Sequence, residues 1–292
     1  MVLVAGAVGL ARQRSPSTAA SRRSPAAETT NPSTESPSTS QHVAARPYLF
    51  ARPAVARFLA GQPVSITAAV VNTRTGESFV YRPGTRAITA SIMKVDILET
   101  LLAETQAGDR DLTEEERELS HRMIDESDND AAEDLWELVG GAPAVARYNA
   151  RAGLKDTAPN EAGYWGLSTT SALDQVRLVQ QICYPSEVLS RSSRRYALDL
   201  MTHVDPAQAW GVSAGPAPDA TVALKNGWLP YEGAWHVNSI GCVRGDGRDY
   251  VIAVLVGDAS TESGGIHSIE GLSRLVWAKL APSTSGPHDL RR

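Results

Sequence analysis

The chain is predicted to be an α/β protein, a sandwich of a mostly antiparallel sheet with a helical subdomain. Two observations in its 292 residues predict this. Alternating, β-branched runs occupy both ends of the apolar part, while runs of helical period fill its middle and close it after the last strand. Hairpin-turn chemistry also stands between neighbouring strands at each end, so those neighbours pair antiparallel. With 42% hydrophobic residues the chain can bury a sizeable core, and its length suits one such domain.

Taken in order, Ser65 to Val71 reads as a strand, Thr73-Arg74-Thr75-Gly76 as a turn and Glu77 to Tyr81 as the returning strand. Ser91 to Leu102 is a helix that is apolar over most of its circumference. Leu112 to Arg117 reads as a capped helix start. Asp130 to Val139 is a short amphipathic helix that Gly140-Gly141 ends. Thr169 to Ile182 is a further helix, with Leu173, Val176, Leu178 and Val179 apolar. Strands follow at Thr221 to Leu224, Trp235 to Val243 and Tyr250 to Val256, with Gly245-Asp246-Gly247 as the turn between the last two. Ile266 to Leu280 is the closing helix, and no internal repeat is visible.

The organisation expected from this pattern has four parts. Residues 1–14 begin with the apolar run MVLVAGAVGLA, read as the remnant of a signal or anchor whose start lies upstream. It is far too short to span a membrane, and with no cysteine nearby, lipid attachment there is excluded. Residues 15–46 are dominated by Ser, Thr and Pro and are expected to be a disordered linker. Residues 47–282 form the folded domain, and 283–292 a disordered tail. The net charge is −5 although the first stretch is rich in arginine, so the folded part is acidic and argues against nucleic acid as a partner. Cys183 and Cys242 are too few for a disulfide scaffold and lack metal spacing; one bridge and two buried free thiols both fit.

Ser91-Ile92-Met93-Lys94 carries the chemistry. Positions i and i+3 share a helix face, and a lysine beside a buried helix core loses part of its preference for the charged form. A partly neutral amine beside a hydroxyl makes that hydroxyl a nucleophile without histidine. Downstream stand Ser127-Asp128-Asn129, ahead of a helix, and Lys225-Asn226-Gly227-Trp228, at the end of a strand. Alone, the first of these two is an ordinary N-cap and the second a strand-to-turn exit.

Together the ordered set S-x-x-K, S-D-N and K-x-G resembles the class A β-lactamase-related serine hydrolases, which include penicillin-binding proteins. The likeness runs from Ser65 to about Leu280 and extends to Gly76-Glu77-Ser78-Phe79-Val80-Tyr81-Arg82 before the nucleophile and to Thr169-Thr170-Ser171-Ala172 after the Ω-loop. It implies a β-lactamase/transpeptidase-like sandwich and a hydrolase of β-lactam or D-alanyl-peptide amide bonds. Ser91 would be acylated, Lys94 would be its base, and Ser127 would shuttle the proton to the leaving nitrogen. Asn129 and Lys225 would bind substrate, beside Asn226 and Gly227. The backbone N–H groups of Ser91 and Trp228 would form the oxyanion hole. No cofactor and no metal are implied, and a monomer located outside the cytoplasm, with no transmembrane bundle, is expected.

Three departures limit that expectation. Asn226 replaces the family's Thr or Ser. The loop Thr157 to Thr169 lacks the pattern whose Glu activates the deacylating water; its single carboxylate, Glu161, sits in the wrong local pattern. The interval from Ser91 to Ser127 is short, which opens the cleft. Acylation without efficient deacylation follows, and the alternative is a weakly catalytic domain that senses cell-wall fragments. Two competing motifs carry less. Gly211-Val212-Ser213-Ala214-Gly215 has the nucleophile-elbow spacing, but Pro216 and Pro218 forbid the helix it needs. His267 and Glu270 share a helical face without further ligands.

Overall fold

The computed structural model describes residues 48–280; the N-terminal apolar run, the Ser/Thr/Pro stretch and the C-terminal tail lie outside the described residues. In chain order the elements are α1 (Pro53–Ala60), β1 (Ser65–Asn72), β2 (Ser78–Tyr81), β3 (Arg86–Ile88), α2 (Met93–Ala107), α3 (Glu114–His121), α4 (Asn129–Leu138), α5 (Gly141–Ala152), β4 (Thr169–Ser171), α6 (Ala172–Cys183), α7 (Arg191–Thr202), β5 (Thr221–Tyr231), β6 (Ala234–Gly245), β7 (Arg248–Ala259) and α8 (Glu262–Lys279). A five-stranded sheet runs β2-β1-β7-β6-β5, antiparallel throughout, and β3 pairs with β4 in a separate ribbon. Both ends of the described chain thus meet in one sheet, as the sequence predicts.

β7 shows why the sheet needs cover on both sides. Its Val251, Ala253 and Leu255 pack among the helices α2, α4, α5, α6 and α7. Its Tyr250, Ile252, Val254 and Val256 pack against α1 and α8. A strand at the centre of a sandwich is apolar at every position, and the period of two sends alternate residues to different cores. The β6–β7 hairpin closes through Asp246 and Gly247, both at positive φ, the backbone a two-residue turn requires.

Local signals fix several helix ends. Thr113 and Glu116 form a reciprocal capping box at α3. Asp128 caps α4, accepting from the Ala131 N–H at 2.7 Å, and Thr261 caps α8. α5 and α7 are additions to the sequence reading, and Gly140-Gly141 joins α4 to α5 with both glycines at positive φ. The predicted helix from Thr169 is corrected at its start: Thr169–Ser171 is the strand β4, paired with β3, and Ser171 caps α6. The predicted strand Thr221 to Leu224 runs on to Tyr231. Cys183 at the end of α6 and Cys242 in β6 form a disulfide, Cα–Cα 6.6 Å, tying the helical lobe to the sheet.

α2 is buried almost all round, so its polar residues Asp96, Glu99 and Thr100 lie inside. Asp96 accepts from Asn149 Nδ2 at 3.2 Å, and Glu99 accepts from the Tyr148 hydroxyl. Burial lifts the Asp96 carboxyl to about 8 and holds Glu99 well above the usual range. A carboxyl raised on folding contributes stability that is complete below its unfolded pKa and is lost as pH rises through the folded one. Relative to an Asp96→Asn variant, the native protein is expected to lose about 1.4 kcal/mol between pH 7 and pH 9. Paired denaturant titrations at the two pH values check this; parallel pH dependence in both proteins refutes it.

Candidate active site

Ser91 stands in a 3-10 turn, Ala90–Ile92, that feeds directly into α2. The turn is held in an unusual conformation, since the buried Ala90 before Ser91 has φ 47°. A non-glycine residue in left-handed backbone costs about 1–2 kcal/mol and persists only where its surroundings over-determine it. Here they do. Asn238 Nδ2 of β6 donates to the Ile88 and Thr89 carbonyls at 2.8 and 3.0 Å, and the Thr89 N–H donates to the Ser168 carbonyl at 2.9 Å.

One turn on, Lys94 is fully buried. Its Nζ donates to the Ser127 carbonyl at 2.6 Å, to Asn129 Oδ1 at 2.8 Å and to Ser127 Oγ at 3.2 Å. Burial lowers the ammonium to about 7, against the Asp128 carboxylate, which opposes the shift. Asp128 itself lies below its ordinary range, held there first by the Ala131 N–H and then by Arg122, whose Nη2 approaches at 3.1 Å. Ser127 follows a single π-helical turn, Arg122–Glu126, and adopts left-handed backbone, φ 60° and ψ 33°. That conformation brings its carbonyl and its hydroxyl to the same amine.

The third motif comes from β5, an edge strand of the sheet. The sequence reading put it at a strand end; it lies in the middle of the strand. Gly227 is there for contact. A Cβ on it would stand 2.5 Å from the Ser91 N and 2.7 Å from the Ile92 N, so only glycine lets β5 press against the turn that carries Ser91. Lys225 is fully buried, and its Nζ has no hydrogen-bond partner among the described residues. Burial pushes this amine well below its ordinary range, with the nearby Lys94 charge adding to the effect. Trp228 follows Gly227 and meets Trp210 edge to face, centroids 5.6 Å apart.

Lys94 thus gathers Ser127 and Asn129, its charge reaches Lys225, and Gly227 sets β5 against the turn that carries Ser91. Asn226 is buried with its amide turned to the neighbouring loop, Nδ2 donating to the Gln208 and Trp210 carbonyls at 2.7 and 3.0 Å. Glu161 is exposed, in the turn Asn160–Gly163. The loop bearing it is closed by the Ala158↔Thr169 bridge. Residues outside the motifs complete the site. The Trp165 ring lies over Lys94 Nζ, 5.1 Å from centroid to nitrogen, and its Nε1 donates to Glu133 Oε2 at 2.9 Å. The signals for these were an aromatic pair in a short loop and, for Asn238, an amide inside an apolar strand.

Of the competing motifs, Gly211–Ser213 is a 3-10 turn without the strand and helix an elbow requires. Glu270 pairs with Arg274 at 2.9 Å, and His267 is exposed.

Known proteins share this fold. PBP-A, 25% identical with a TM-score of 0.68, aligns with 76% of this chain and 92% of its own. A beta-lactamase from Chitinophaga pinensis, 22% identical with a TM-score of 0.68, aligns over 76% of this chain and 96% of its own and shares the fold. A Mycobacterium tuberculosis protein named as a lipoprotein, LppW, is 29% identical over 203 residues, 67% of this chain; the chain spans 64% of the length of that relative. The beta-lactamase family model matches residues 115–280, a stretch that includes Ser127, Asn129 and Lys225 and begins after Ser91 and Lys94. That match covers more than half of the chain, and with the mixed antiparallel sheet and helices shared with these structures, the chain belongs to the beta-lactamase enzyme family.

Proposed function

We propose that this protein is a serine hydrolase that opens β-lactam or D-alanyl-peptide amide bonds through an ester on Ser91 and releases the acyl group slowly. The observation that carries the reading is the convergence of Ser127 and Asn129 on the buried Lys94 amine. An amine lowered to about 7 is substantially neutral at physiological pH, the form that accepts a proton. In the reaction the Ser91 proton passes to Lys94 as Oγ bonds to the substrate carbonyl carbon. The carbonyl electrons move to oxygen, facing the backbone N–H groups of Ser91 and Trp228. When the C–N bond breaks, the proton returns through Lys94 and Ser127 to the leaving nitrogen. Lys225, whose amine has no hydrogen-bond partner among the described residues, faces a carboxylate on the leaving side, and an anionic ligand there would favour the charged form that burial opposes.

Release of the ester needs an oriented water and a base. The Trp165 ring over Lys94 and the exposed position of Glu161 support a slow second half-reaction. An envelope or secreted location is supported by the lipoprotein name of LppW and by the Cys183–Cys242 bridge, since such bonds persist in oxidising compartments. No helix among the described residues is long and apolar enough to cross a membrane.

The intact mass of the protein after incubation with benzylpenicillin tests the reading. The expected result is a stable adduct of one penicillin, lost in Ser91→Ala. Rapid penicillin consumption without an adduct would replace slow release with β-lactamase turnover. Neither adduct nor consumption would overturn the hydrolase and favour a domain that only binds cell-wall fragments.

A further inference from the structure

A cavity of about 240 Å³ lies between the β3–β4 ribbon and the five-stranded sheet. The ribbon lends it Arg86 and Thr169, and the sheet lends it His236 of β6 and Gly257 and Asp258 of β7. β7 makes a bulge here. Trp235 pairs with Ala259 and Val237 with Val256, so Gly257 and Asp258 together oppose the single residue His236. A bulge re-aims side chains, and Asp258 takes left-handed backbone, φ 58°, which costs a non-glycine residue free energy. The His236 ring packs over Gly257, where a Cβ would stand 3.6 Å from Nδ1. That nitrogen is buried and has no hydrogen-bond partner among the described residues. Burial lowers the imidazole below its ordinary range, and the Asp258 charge opposes the shift.

The cavity thus carries charges of opposite sign that do not neutralise one another. Arg86 reaches Asp156, not Asp258, through Nη2 at 3.5 Å, which leaves the other donors of its fork. A simple anion at Arg86 would also meet Asp258, and a simple cation at Asp258 would also meet Arg86. A zwitterion satisfies both. The volume lies below the range of about 300–1,000 Å³ usual for drug-sized ligands, and Ala87, Ile88 and Leu255 supply apolar wall for a short side chain.

We propose that this cavity binds a free α-amino acid with a short aliphatic side chain, its carboxylate on Arg86 and its ammonium on Asp258 and His236 Nδ1. The occupant would brace the turn that carries Ser91. Ile88 and Thr169 line the cavity and pair across the ribbon. Their neighbours Thr89 and Ser168 share the 2.9 Å bond that holds the turn. Asn238, further along β6 from His236, donates to the Ile88 carbonyl. The site does not depend on the reading of Ser91 as the acylated residue.

Titration of the isotope-labelled full chain with D-alanine and with L-alanine, followed by amide chemical shifts, tests this. Saturable shifts at Ala87, Thr169 and Gly257 are expected with at least one enantiomer, together with slower hydrogen exchange at Thr89. Lactate has a hydroxyl in place of the ammonium, and ethylamine lacks the carboxylate. Each is expected to bind about fivefold more weakly, the worth of one part-exposed ion pair. Arg86→Gln and Asp258→Asn should each weaken alanine binding to the same extent; Asn tolerates left-handed backbone, and a melting curve reports whether each variant folds. Should a variant not fold, the comparison of alanine with the two analogues decides alone. No saturable shift with either enantiomer overturns the proposal, as does lactate or ethylamine binding as tightly as alanine, or a folded variant that keeps native affinity. Binding without slower exchange at Thr89 would overturn the bracing of the turn.

Discussion

Lys94→Ala is expected to slow acylation of Ser91 by benzylpenicillin about 10²–10⁴-fold, the usual worth of a positioned base. The native rate should rise with pH through about 7 and then level off, because burial holds the amine near that value and only its neutral form accepts the serine proton. The alanine variant should lose that rising limb. The pH profile separates this role from a structural one. Removing the Lys94 amine also strips a donor from the Ser127 carbonyl and from Asn129 Oδ1, so some stability should be lost as well. A general loss of packing would lower the rate at every pH and keep the limb. A variant that is stable yet acylates at the native rate would remove Lys94 from the mechanism.

Gly227→Ala is the second large effect. One methyl group would stand 2.5 Å from a backbone nitrogen of the Ser91 turn, closer than real Cβ atoms approach backbone. The turn cannot yield readily, because Asn238 and Ser168 hold the residues before it. β5 should therefore move outward, separating the Trp228 N–H from the Ser91 N–H. Loss of one oxyanion donor costs about 10²–10³ in turnover, and a loss of that order in acylation rate is expected. Gly61→Ala is the control: its φ is −88°, and its added Cβ meets no atom nearer than 3.5 Å. A Gly227→Ala protein that acylates like Gly61→Ala would show that the contact between β5 and the turn does not set the geometry.

The same glycine shows what was legible in the residues. Asn226-Gly227 reads as turn chemistry, so the sequence ends a strand there; the glycine answers instead to a partner far away in sequence, which no local pattern reveals. The three motifs were readable as an ordered set of residue types, and the structure carries them at helix starts and on a strand. The β6–β7 hairpin was readable because Asp246-Gly247 specifies its own backbone. α5 and α7 escaped for a different reason. α5 buries mostly small residues, Ala144, Val145 and Ala152, besides Tyr148 and Asn149. α7 buries only Ala197, Leu200 and Met201, after a first turn of serine and arginine. Neither presents a broad apolar stripe. Trp165 and Glu133 were invisible as a pair because a loop and a helix meet only after folding.

The strand order has a consequence for when activity can exist. β1 pairs with β7 through Ser65↔Gly257 to Asn72↔Tyr250, joining segments separated by most of the domain. The Ser91 turn depends on β6 through Asn238 and on β5 through Gly227, and β7 is the strand that links these to β1. Contacts of such long sequence separation carry a large loop-closure cost and form slowly. A nascent chain that has emerged only as far as α7 holds Ser91, Lys94, Ser127 and Asn129, yet lacks the whole wall against which they work. Under the proposed function, the centre that acylates would be among the last things this polypeptide completes.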